Sequence, residues 1–224
     1  MTVGDIEPGF SDAAPRRAAR LARRFAGDRS GLAMLEFALA MPVFIAVSMV
    51  GMETVNFAHA SQKVGDIATL TADNISRIRI GISEGDVTEA LNGIKGVGSS
   101  IGFAANGRVI VSSVQPIVNG ARVVTDQKIR WQRCTGALAV TSTYGAQSAL
   151  LGVDGIGPTG RKIAASANDE LIFVEVAYTY QPLISNSILG TRTIEAIVGM
   201  TVRERSMNDI QGGGTASSCS TYSA

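Results

Sequence analysis

The chain has 224 residues, 20 lysines and arginines against 19 acids, and a mean hydropathy of +0.21. Charged residues make up 17% and the hydrophobic set 46%, which excludes disorder throughout and any charge excess that would drive nucleic-acid binding. Two cysteines exclude a disulfide-dense mini-scaffold or a zinc finger, and the single histidine, His59, excludes a multi-histidine metal site. The length fits one domain, or one domain with an appendage.

Charge is unevenly spread. Arg16, Arg17, Arg20, Arg23, Arg24 and Arg29 stand beside one acid, Asp28. Residues 32–52, LAMLEFALAMPVFIAVSMVGM, follow, and Glu36 is their only charge. As a helix this segment reaches about 31 Å, the thickness of a bilayer's hydrocarbon core. Basic before apolar is the positive-inside pattern, so residues 1–30 are expected in the cytoplasm and the rest across the membrane. The arginines read as topology rather than as a nucleic-acid patch.

Glu36 is the odd residue. A carboxylate at a bilayer's centre costs about 2.5–3.5 kcal/mol on insertion scales, and less near the end of the span. One reading is a first-turn acid favoured by the helix dipole. The other needs a cation. A cut between Gly31 and Leu32 would free an amine one helical turn from Glu36. In a polymer the amine of a neighbouring subunit could serve instead.

The run Gly31-Leu-Ala-Met-Leu-Glu36-Phe37, with a basic leader before it and an apolar helix after it, resembles a type IV-type prepilin site. With Glu-Phe, Pro42 and the context DRSGLAMLEFALAMPVFIAV, residues 28–60 resemble the TadE-like minor pilins, or pseudopilins, of the tight-adherence (Flp) pilus. The resemblance implies a cytoplasmic leader, 1–31, removed by a prepilin peptidase at Gly31–Leu32. Glu36 and Phe37 would set helix register and assembly. It implies an inner-membrane protein with its carboxy-terminal domain in the periplasm, or outside the cell in the pilus. Its partners would be the peptidase, other pilin or pseudopilin subunits, the Tad inner-membrane assembly machinery and membrane lipid, with no nucleic acid. Adhesion and biofilm formation are the family's roles.

Two alternatives concern this segment. Ala58-His59-Ala60 matches a secretory A-x-A site before Ser61, but the apolar stretch is longer than a usual signal core, and Glu53 and Asn56 intervene. An uncleaved anchor is the other. The rival for function is a membrane-anchored periplasmic binding or adhesion module that never enters a fibre.

Beyond the span, Phe57, Ala60, Val64, Ile67, Thr71, Ile75 and Ile78 recur at steps of three and four, the stripe of an amphipathic outer helix over 53–80. One helix from about 33 to 78 is expected, kinked near Ala38 because Pro42 lacks an N–H. A short helix is expected over 84–92, with Ser83 as N-cap, Asp86 completing a capping box, and Asn92-Gly93 ending it.

The rest of the domain, 81–210, reads as strands. Arg108–Val114 follows the Asn106-Gly107 turn; Val123–Thr125 and Lys128–Cys134 follow Asn119-Gly120. Ile172, Val174, Val176, Tyr178 and Tyr180 alternate onto one face, as do Ile194, Ala196, Val198, Met200 and Val202 within 193–203. Period two with one apolar face predicts an antiparallel sheet covered on one side. The expected fold is therefore α+β: a pilin-like long amino-terminal helix packed on four to five antiparallel strands. Residues 135–169, rich in Gly, Ala, Ser and Thr, read as a variable surface loop, with Tyr144 exposed for contact and Trp131, Tyr178 and Tyr180 in the core. The tail 211–224 reads as flexible, tied by Cys219. If both cysteines leave the cytoplasm, an oxidising compartment favours a Cys134–Cys219 disulfide; one buried and one exposed thiol is the alternative.

No enzyme and no cofactor are expected. Gly81-Ile-Ser83-Glu-Gly85 matches G-x-S-x-G, but the sole histidine precedes it, so Ser83 reads as a cap. Gly155-Ile-Gly157-Pro-Thr-Gly160 matches G-x-G-x-x-G, but no strong strand precedes it and Pro158 sits where a helix should open. No Walker A, C-x-x-C or H-E-x-x-H sequence occurs.

Overall fold

The structure, a computed structural model, describes residues 13–27, 30–79, 81–184, 190–202 and 209–223. The leader's first twelve residues, with Asp28 and Arg29, lie outside the described residues, as does Arg203 at the end of the last expected long strand. The chain divides into two compact units, Met1–Gly51 and Met52–Ala224.

In the first unit, α1 spans Ala13–Gly27, a helix that does not figure among the expected elements. Helix α2 spans Ser30–Ser76 and continues through Pro42. It is long and apolar enough to cross a membrane, and residues 31–52 are exposed throughout. The first buried side chain along it is Glu53, at 7% exposure.

In the second unit, the remainder of α2 presents Ala60, Val64, Ile67, Ala68, Ala72 and Ile75 as one buried stripe. Steps of three and four put these on one helix face. Strand β1 (Ile82–Ser83) leads into α3 (Glu84–Val97). Asp86 N–H donates to Ser83 Oγ at 3.1 Å, and Ser83 N–H donates to Asp86 Oδ2 at 2.9 Å, closing the capping box. The helix passes the expected stop at Asn92-Gly93 because Leu91 and Ile94 are buried; core packing outweighs the weak helix propensity of Gly93. A single turn, Ser99–Ile101, and the short α4 (Phe103–Asn106) follow.

The main sheet holds β2 (Gly107–Val118), β3 (Val124–Thr135), β4 (Leu171–Thr179) and β5 (Thr193–Thr201) in the order β3-β2-β4-β5, with every neighbour antiparallel. A two-residue strand β6 (Ile210–Gln211) pairs parallel with β1. One face of the sheet gives Val109, Val111, Trp131, Ile172, Val174, Val176, Tyr178 and Ile194 to the core shared with α2 and α3.

The opposite face is also covered, which corrects the expectation of a one-sided sheet and a loose Gly-rich loop. Ile156 and Ala165 from the Gly-rich segment join Val114, Ile129, Leu171 and Phe173 in a second core. Tyr144 is half-buried, its ring meeting Phe173 edge-on at 5.3 Å. The segment also caps the edge of β3, through Ile129 N–H to Ala149 O and Leu151 N–H to Gln127 O. Gln127 holds Ala165 by both its backbone groups, at 2.9 and 3.0 Å. The G-x-G motif is a packing device. Gly155 has φ +81°, and a Cβ there would lie 2.1 Å from Ile163 O, where the chain folds back to pair Ile156 with Ile163.

Where described, the tail makes contacts in addition to Cys219: Cys134 N–H donates to Ser217 O at 2.9 Å, and Thr88 Oγ1 donates to Thr215 O. The second core carries a measurable consequence. Ile156→Ala is expected to lower unfolding free energy by about 2–5 kcal/mol, as for a core isoleucine. A urea midpoint shift worth less than about 0.5 kcal/mol would return the segment to the status of a surface loop.

Candidate functional site

Gly31, Leu32, Glu36 and Phe37 all lie on α2, exposed, with Leu32 at 65% and Phe37 at 63%. Leu32 and Glu36 are four positions apart, so they share a helix face about 6 Å apart along the axis. Among the described residues no basic side chain pairs with Glu36. A Cβ added at Gly31 would meet nothing within 4 Å. Glycine inside a helix costs about 1 kcal/mol relative to alanine, so the fold supplies no reason for a glycine here.

Charges in the second unit contrast with Glu36. Arg133 pairs with Glu84 through both guanidinium and carboxylate ends, Nε to Oε2 at 2.8 Å and Nη2 to Oε1, joining β3 to the start of α3. Arg130 sits between Glu170, at 3.5 Å, and Asp209, at 2.6 Å. Ser113 Oγ donates to Glu170. These pairs bridge distant parts of the chain and hold buried charge against partners.

Where α2 first becomes buried, a polar cluster forms that the sequence did not reveal. Glu53 Oε1 accepts from Tyr180 Oη at 2.6 Å, and Oε2 accepts from Leu183 N–H at 3.0 Å. Asn56 Nδ2 donates to Tyr180 Oη at 2.8 Å. Phe57 packs edge-on against the Tyr180 ring at 5.1 Å. The cluster clamps the helix to the end of β4. Burial, then the proton donated to Glu53, pushes the Tyr180 phenol up to about 12, against the opposing bond from Asn56. The separation of 127 residues between Glu53 and Tyr180 explains why no local pattern announced it.

Cys134 and Cys219 are joined by a disulfide, with Cα atoms 4.8 Å apart. The buried Arg108 reinforces it. Its guanidinium donates to Gly136 O, Cys219 O and Thr221 O at 2.7–2.8 Å and lies 4.4 Å from the Tyr222 ring centre. Gly136 has φ +104°, and a Cβ there would fall 2.2 Å from Gly107 O, so only glycine lets the chain cross here.

A cleft of about 430 Å³ lies on the second sheet face, lined by Arg108, Ile110, Tyr144, Glu175 and Glu195 among others. Burial raises the Glu175 carboxyl above its ordinary range, opposed by bonds from Ser142 Oγ at 2.5 Å and Thr143 N–H at 3.0 Å. Among the described residues no group of three or more His, Cys, Asp or Glu could hold a metal ion. Ser83 is engaged as the cap of α3, and His59 is exposed on α2.

No family model, no curated protein and no solved structure matches the chain.

The Tyr180 clamp predicts an alkaline limit. A phenol raised from 10 to about 12 in the folded state favours folding while protonated, so stability is flat below pH 10 and falls as pH rises through about 12. Tyr180→Phe is expected to be less stable at pH 8 and to lose that alkaline slope, read by denaturant midpoints at successive pH values. A slope unchanged in the variant would remove Tyr180 from the account. Reducing the disulfide is expected to lower stability by up to about 4–5 kcal/mol, the chain-entropy figure for a loop of 85 positions, with an unmoved midpoint counting against that role.

Proposed function

We propose that the chain is a TadE-like pseudopilin, a structural and assembly component of a tight-adherence (Flp) type pilus serving adhesion and biofilm formation. The carrying observation is the start of α2. Gly31, whose Cβ position is open, stands inside the helix one residue before the exposed apolar run whose early charge, Glu36, has no basic side chain against it among the described residues. On this reading the small residue at position 31 suits a peptidase subsite. The outer part of the same helix packs on an antiparallel sheet, the pilin-like arrangement that the resemblance implies. The Cys134–Cys219 bond favours an oxidising compartment for the outer unit, on the far side of the membrane from the arginine-rich leader.

On this reading the mechanism is one of register. Residues 32–52 leave lipid and pack against neighbouring pilin helices. In that low-dielectric setting an unpaired carboxylate is costly, so Glu36 meets the new Leu32 amine of its own or an adjoining subunit and fixes the axial position. The chemistry itself belongs to the peptidase. This chain supplies the small residue at the cut, the amine and the acid.

The test is the amino-terminal residue of protein purified from membranes, read by mass spectrometry. Leu32 is expected; Ser61 or an intact Met1 would overturn the proposal. Gly31→Leu is expected to block the cut while the outer unit folds normally, and ordinary processing of that variant would refute the site. Glu36→Ala is expected to be processed but to fail in assembly, and a wild-type yield of pili would refute the register role.

A further inference from the structure

Helix α1 carries more than a sum of charges. Ala13–Gly27 contains five arginines and no acid, and every other residue is Ala, Pro, Leu, Phe or Gly. At 3.6 residues per turn, positions 16, 17, 20, 23 and 24 fall within an arc of about 120°. Positions 14, 18, 21 and 25 fall within a separate arc of about 60°. Ala14, Ala18, Leu21 and Phe25 occupy that second arc, and only small apolar residues fill the remainder. Arg20, Arg23, Arg24 and Phe25 are exposed, Phe25 at 78%. Topology alone needs positive charge but no periodicity. The separation of arginine from apolar residues therefore points to a boundary with one wet and one oily side.

The chain then places α1 at such a boundary. Only positions 28 and 29 separate it from α2, whose apolar run opens at Leu32. Two or three residues reach about 10 Å at most, so α1 stays within reach of the headgroups where α2 enters the membrane. The guanidinium matches phosphate oxygens in a two-pronged geometry, and anionic leaflets attract basic segments beside a membrane span.

We propose that, in the uncleaved chain, α1 is an interfacial helix that lies on the leaflet at the amino-terminal end of α2. Its arginines engage the phosphates of anionic phospholipids, and its Leu21 and Phe25 positions dip into the acyl boundary. The proposal rests on α2 spanning the membrane. It would hold the Gly31–Leu32 bond at headgroup depth before processing.

The test uses the full uncleaved chain reconstituted in vesicles of phosphatidylcholine, with or without phosphatidylglycerol, containing acyl-brominated lipid. The added indole of F25W is the probe, and the buried Trp131 gives the same background in the parent chain. Quenching of the F25W indole is expected in anionic vesicles. It is expected to be lost in phosphatidylcholine alone and in F25W carrying R16Q/R17Q/R20Q/R23Q/R24Q, and the indole of R20L/L21R/R24W/F25R, which keeps the charge and breaks the periodicity, is expected to escape quenching. Equal quenching in both lipids, or none, overturns the proposal, as does arginine-dependent binding of a DNA duplex in its place. Flotation after alkaline washing reads α2 insertion separately. Floated protein without quenching overturns the α1 proposal alone, and protein that fails to float overturns both.

Discussion

The second unit depends on one contact: the stripe Ala60, Val64, Ile67, Ala68, Ala72 and Ile75 against the sheet face that carries Val109, Val111 and Ile172. Without that cover, Val109, Val111, Ile172, Val174 and Val176 would form an open apolar face. The stripe combines small alanines with the β-branched Val64, Ile67 and Ile75, all buried in the core shared with the strands. The helix is therefore a structural wall of the domain as well as an apolar span. Its two roles are written in the same helix, with exposed residues through 52 and a buried stripe from 60 onward.

The buried polar groups of the second unit obey a consistent rule. Glu53, Glu84, Glu170, Arg108 and Arg133 are buried or largely so, and each is held by hydrogen bonds or an opposite charge from a distant segment. Such groups are expensive to bury alone, so each one fixes a particular crossing of the chain. Glu36 stands outside this set: it is exposed, and no basic side chain pairs with it among the described residues. On the pseudopilin reading that exception is the assembly signal, since the partner that satisfies it belongs to processing and to the neighbouring subunit.

The parts legible in the sequence were those governed by local spacing. The α2 stripe repeats every three or four residues, β4 alternates cleanly, and Ser83 and Asp86 are three positions apart. The Gly-rich segment was misread because it covers the sheet without periodic structure. Ile156, Ala165 and Tyr144 are too widely spaced to form a pattern, and they acquire one only against Phe173 and Leu171. The Glu53 clamp was invisible for the same reason, as its partners lie more than a hundred positions away. Helix α1 was legible in principle: the steps from Arg16 to Arg20, Arg23 and Arg24 are helical, but their charge drew attention before their spacing.

The disulfide has a mechanical consequence. It closes a covalent ring of 85 positions that includes β4, β5 and the Gly-rich cover. If tension entered through α2 and left through the tail, that ring could lose its structure but could not lengthen beyond its own bond. At about 3.4 Å per extended residue, the bond withholds roughly 290 Å of slack. The chain under load would therefore yield first in the shorter stretch between the helix and β3. Its farthest strands would stay tethered while the domain gave way.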